Sequence, residues 1–199
     1  MKNALLLGDS IRMGYEEAVK NSLQGIIDVY SPKDGNLYAS HLFRFVHEFK
    51  NLVPGEVDVI HWNAGLWDVM RNLEEEPQTP IEIYKYYIER TCKRILKAYP
   101  KAKVIFATTT SVQTEKMHKD CIRYNEDIEL YNKAAVEIVK KYGFEVNDLY
   151  AVSKELPEEA HSDPTHYITD IGTKAFATAV IKHLTEALGI NQEVEYKKL

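Results

Sequence analysis

The feature that most narrows the fold of this chain is an alternation. Five short apolar runs, at 4–8, 26–30, 57–62, 104–108 and 144–150, alternate with longer stretches of helical periodicity. Several runs are continuously apolar and rich in Val and Ile. Strands covered on both faces read this way. The helical patterns lie at 13–24, 38–50, 81–98, 124–142 and 169–188. Gly25, Gly143 and Gly189 stand as stops, and Pro100 closes the third pattern. Leu42, Phe45, Val46 and Phe49 share one helical face. A βα order repeated this way predicts an α/β fold, with a parallel sheet between two helical layers: a three-layer α/β/α sandwich. Residues 1–199 read as one domain. The loop 72–80 reads as a solvated connection, and the charged tail 192–199 as frayed. In such sheets sites form beyond the carboxyl ends of strands, so a functional motif should fall just after a strand.

Two motifs meet that test. Gly8-Asp9-Ser10 follows the first apolar run and opens a helix. A serine hydroxyl is a weak nucleophile and needs a base within hydrogen-bond reach. It also needs donors aimed at the oxygen that turns negative in the tetrahedral intermediate. Near the other end, Asp163-Pro164-Thr165-His166 precedes the last helix. A spacing of three across a proline-bearing turn lets a carboxylate orient an imidazole and stabilise its cation. No GxSxG elbow occurs, which argues against the α/β-hydrolase arrangement.

GDSIRMGY at 8–15 resembles the first sequence block of the SGNH (GDSL-like) hydrolases, and DPTHYITDIG at 163–172 resembles their last. The resemblance spans nearly the whole chain. It implies a flavodoxin-like five-stranded sheet, with Ser10 as nucleophile, His166 as base and Asp163 as its orienting partner. It further implies that the N–H groups of Ser10 and Gly35 serve an oxyanion hole. Gly35 stands in Lys33-Asp34-Gly35-Asn36-Leu37, after the second strand. The family's third block, GxND, is altered. The chain reads Asn63-Ala64-Gly65-Leu66-Trp67-Asp68, so Trp67 occupies the Asn position and Asp68 is kept. Asn63, two residues before Gly65, is the expected third oxyanion donor.

Other residues carry two readings each. Asp9 either caps the following helix or contacts substrate. Arg12, one turn beyond Ser10, either meets an anionic substrate group or forms a structural ion pair. Thr109, after the fourth strand, either lines the pocket or satisfies a turn. Trp67 either packs or forms a sugar-stacking wall. His61, inside a strand, reads as a hydrogen-bonded core residue.

The chain carries a net charge of −5, which offers no positive field for a nucleic-acid partner. Its two cysteines form no CxxC pair and its histidines no HExxH pair, so no metal is expected. The apolar run after Met1 is too short for a signal peptide and no stretch is long enough to span a bilayer. A cytoplasmic protein without a membrane partner is the expectation. The resemblance implies a cofactor-independent serine esterase acting on small esters, with O-acetylated sugars the leading substrate class. A lipid or thioester hydrolase of the same family, or a non-catalytic flavodoxin-like binding module, are the alternatives.

Overall fold

Each apolar run overlaps a strand. The computed structural model describes residues 1–73 and 75–198. Its strands are β1 (Lys2–Leu7), β2 (Ile27–Tyr30), β3 (Val59–Trp62), β4 (Lys103–Ala107) and β5 (Glu145–Asn147). They pair in parallel in the order β2-β1-β3-β4-β5. This is the flavodoxin-like order, whose topological switch lies between β1 and β3. Leu5, Leu6 and Leu7 of β1 and Val59, Ile60 and Trp62 of β3 are fully buried. Side chains on both faces of these strands therefore leave water, which explains the unbroken apolar runs. Burying each one contributes about 1.5–3 kcal/mol.

Among the described residues six α-helices cover the sheet: α1 (Ser10–Leu23), α2 (Ala39–Phe45), α3 (Ile81–Ala98), α4 (Asn125–Lys141), α5 (Leu149–Lys154) and α6 (Asp170–Ala187). Helix α1 packs against α6, which also touches α5, while α3 packs between α2 and α4. Two helical layers result, and the first brings the start and end of the chain together.

Three expectations need correction. The pattern 38–50 is a short α2 followed by a separate 3₁₀ turn, Phe49–Leu52. Arg94 of α3 and Tyr99 just past its end donate to the carbonyls of Phe43 and Val46, which ties that backbone to α3. The run 144–150 gives only three residues of strand, because Asp148 caps α5 and accepts from the Ala151 N–H at 3.1 Å. The tail is docked rather than frayed: the Lys197 N–H donates to Ser22 Oγ, and Val194 and Tyr196 pack on the core. The tail's Leu199, and Glu74 of the loop 72–80, lie outside the described residues. Among the described residues no helix is long and apolar enough to cross a membrane.

Candidate active site

Ser10 stands where β1 gives way to α1. Asp9 is the N-cap of α1, accepting from the Ile11 N–H at 3.0 Å, and Ser10 is the first helical residue. The Asp9 side chain is sealed from water, and its second oxygen accepts from Asn63 Nδ2 at 3.0 Å. Burial pushes its carboxyl above the usual range, against those two hydrogen bonds. Glycine is required at position 8, since a Cβ there would lie 1.9 Å from Asn63 Oδ1.

The segment Ser162–Thr169 folds into a tight turn before α6. Asp163 Oδ1 accepts from the N–H groups of Thr165 at 2.8 Å and His166 at 2.9 Å. Its other oxygen lies 2.8 Å from His166 Nδ1. His166 Nε2 lies 2.7 Å from Ser10 Oγ. With the carboxylate accepting from Nδ1–H, the lone pair of Nε2 faces the serine hydroxyl. Partial burial raises the Asp163 carboxyl, but the two N–H groups and the imidazole outweigh it and hold it below its ordinary value. The side chain of Asp163 is 49% exposed and that of His166 27%, so this row lies at the surface. It is held there by the packing of α1 on α6, by Thr173 Oγ1 donating to the Gly14 carbonyl at 3.3 Å, and by Gln113 N–H donating to the Pro164 carbonyl.

Beside Ser10 and His166, between α1 and α6, is a crevice of about 10 Å³. Ile11, Ile168 and Phe176 make it mostly apolar. It holds one water-sized group.

No family model and no curated protein sequence matches the chain. Solved structures do match. A lipase/acylhydrolase from Enterococcus faecalis superposes with a TM-score of 0.75 at 17% identity, over 100% of both chains. A GDSL-like lipase from Bacteroides thetaiotaomicron gives 0.72 at 15%, over 94% of this chain and 89% of that one. The acetylxylan esterase Axe2 from Geobacillus stearothermophilus gives 0.71 at 16%, over 98% and 97%. The chain has the SGNH, or GDSL-like, hydrolase fold.

Within the SGNH fold the middle blocks now take positions. Gly35 lies against the peptide that precedes Ser10: a Cβ there would meet the Asp9 carbonyl carbon at 3.1 Å. Asn36 N–H donates to the Gly8 carbonyl at 2.7 Å and pins this loop to the end of β1. Among the described residues the N–H groups of Ser10 and Gly35 find no acceptor. Asn63 follows β3, across the switch point from Ser10, and one N–H of its amide goes to Asp9. Asp68 caps α2 from inside, accepting the Ala39 N–H at 3.0 Å, and burial pushes its carboxyl up to about 7.

For Asp9, Arg12 and Thr109 the structure gives the structural one of the two readings rather than substrate contact. Asp9 is buried and spent on the cap and on Asn63. Arg12 is also fully buried. It pairs with Glu16 and donates to the carbonyls of Pro32 at 3.2 Å and Asp34 at 3.0 Å, so it holds the loop that carries Gly35. Thr109 is buried, its backbone clamped by the Asn132 amide. Its Oγ1 would lie 2.4 Å from a Cβ on Gly65, whose φ is +154°. Trp67 is half-buried and packs edge-to-face on Tyr38 at 5.9 Å. His61 is a core residue: Asn147 Nδ2 lies 3.1 Å from its Nε2, and burial pushes it down to about 3.

One residue at this rim escaped the sequence reading. Arg123, just before α4, is 8% exposed and donates from Nε to the Leu66 carbonyl at 2.7 Å. Its only sequence signal is a charge set between apolar Ile122 and Tyr124.

Proposed function

We propose that the chain is a serine hydrolase that cleaves small esters through an acyl-enzyme. The observation that carries this reading is the hydrogen-bonded row from Ser10 Oγ through His166 to Asp163 at the carboxyl edge of the sheet. Ser10 attacks the ester carbonyl while His166 Nε2 takes its proton. Negative charge gathers on the carbonyl oxygen and meets the free N–H groups of Ser10 and Gly35, with the second N–H of the Asn63 amide as third donor. His166, now a cation held by Asp163, protonates the departing alcohol. Water activated by the same imidazole then releases the acid.

The acyl group is short in this reading. In this reading the acetyl methyl faces the narrow crevice beside Ser10, lined by Ile11, Ile168 and Phe176, which leaves little room for a longer chain. Acetylated carbohydrate is the substrate class favoured. Trp67 and Tyr38, an aromatic pair beside the loop that carries Gly35, offer a wall for a sugar face. The likeness to an acetylxylan esterase points the same way.

The test is a series of p-nitrophenyl esters of rising acyl length. Turnover should be greatest with the acetate and fall steeply beyond the propionate. A maximum at eight carbons or more contradicts the acetyl assignment. Failure to hydrolyse any member contradicts the esterase.

A further inference from the structure

Arg123 is built like a binding group that lacks its ligand. Its backbone is fixed on three sides. The Arg123 carbonyl accepts from Thr114 Oγ1 at 2.8 Å, its N–H points to Met117 Sδ, and Ile122 bridges Arg71. The side chain is over nine-tenths buried, with Nε anchored on the Leu66 carbonyl and Nη2 against Met70 Sδ at 3.6 Å. Among the described residues no carboxylate lies within ion-pair distance of it. Nη1 meets no oxygen acceptor there either, the Cys121 thiol being the one further group that interacts with the guanidinium among the described residues.

A buried guanidinium is costly to desolvate and is ordinarily paired. The other strongly buried charges at this rim are paired: Asp9 by Ile11 and Asn63, Arg12 by the Glu16 carboxylate and two carbonyls with only its Nε unmatched, Asp68 by Ala39. Arg123 keeps its fork anchored at one end and open at the other. Its position is also informative. Leu66 belongs to the loop after β3, so Arg123 stands at the carboxyl edge of the sheet, on the side that leads into α3. Burial disfavours its charge, and Cys121, Asp9 and, more weakly, Asp163 favour it, the last two being the neighbours of Ser10 and His166. The acyl crevice lies on the other side, between α1 and α6.

We propose that Arg123 is a specificity-determining residue that pairs with a carboxylate on the alcohol portion of the ester, as in an O-acetylated uronic acid. The inference rests on the esterase reading for its substrate, but not for its binding site. A planar carboxylate suits the open end of a guanidinium held by Nε, because two N–H groups then present together.

The experiment compares wild type with R123Q and R123K on two acetyl esters that differ in one group: an O-acetylated methyl glucuronoside and the matching methyl glucoside. The readout is the ratio of kcat/KM, acidic over neutral. Wild type should favour the acidic ester about 10- to 100-fold, the range of one charge-assisted hydrogen bond, and R123Q should bring the ratio near one. R123K, which keeps the charge without the fork, should fall between. A wild-type ratio near one, or equal loss on both esters in R123Q, overturns the proposal. Calorimetric titration with glucuronate and glucose reads the site without turnover. Glucuronate bound by wild type, but not by R123Q, supports the proposal even if no ester is cleaved. Equal binding of both sugars overturns it.

Discussion

Asp163 uses both oxygens to shape its own turn and to aim the imidazole, so its replacement separates geometry from charge. In Asp163→Asn the side-chain oxygen can keep the N–H groups of Thr165 and His166, but an NH₂ then faces His166 Nδ1. The imidazole is driven to the wrong tautomer. A loss of kcat on the order of 10²- to 10⁴-fold follows. Because Asp163 is half-exposed, the lower end is expected. A loss below about threefold in p-nitrophenyl acetate turnover contradicts the role. His61 gives a prediction in stability. Burial pushes it down to about 3, whereas an unfolded imidazole titrates near 6.5. Below about pH 6.5 the unfolded chain binds a proton that the folded chain refuses. The stability of wild type relative to His61→Gln should therefore be constant above that pH and fall as pH drops toward 3, in urea melts. A pH-independent difference contradicts the assignment. The residue scale also shows what the sequence could reveal. Ser10, Asp163 and His166 were legible because each motif is local and sits at an element boundary. Arg12 and Thr109 kept two readings each, and Arg123 was missed, because their burial is decided by segments distant in the chain.

Helix α1 is the element that organises the site. Its cap, Asp9, is gripped by Asn63 beyond β3, and Arg12 on its first turn grips the loop before Gly35. Removing Arg12 alone strands buried Glu16, so the useful variant is Arg12→Met with Glu16→Leu, which leaves no orphan charge. The loop should loosen and the Gly35 N–H lose its aim. We expect kcat to fall on the order of 10-fold, short of the 10²- to 10³-fold of losing a donor outright, with KM little changed. Unchanged kcat in the double variant removes Arg12 from the account. Asp68 acts at the start of α2. With its carboxyl up to about 7 against an ordinary 3.8, the folded state holds a proton that the unfolded state releases between those values. Stability from this group is present at low pH and lost as pH rises toward 7. Asp68→Asn should therefore raise Tm most at pH 8, with the gain vanishing near pH 4. Lower Tm at pH 8 contradicts it. The two slopes oppose each other, so each is read from variant minus wild type. At this scale the strands were legible because an apolar run buried on both faces has no other use. The break after α2 was not, because it depends on Arg94 of α3 and on Tyr99 just past that helix.

At the scale of the molecule, the parallel order β2-β1-β3-β4-β5 and the packing of α1 on α6 carry residues 10 and 166 to one rim. The architecture followed from periodicity, and the likeness to SGNH-fold structures at 15–17% identity shows how little sequence it needs. What that fold leaves open is whether this rim performs chemistry. A fluorophosphonate reacts only with a serine whose hydroxyl is activated by a base and whose oxyanion is received. Intact-mass analysis of the labelled protein is thus the most direct measurement of the row's reactivity. We predict one phosphonyl adduct per chain, located on Ser10 by peptide mapping, absent in Ser10→Ala and strongly slowed in His166→Ala. No adduct on the wild-type chain, or an adduct that persists in Ser10→Ala, would contradict the account.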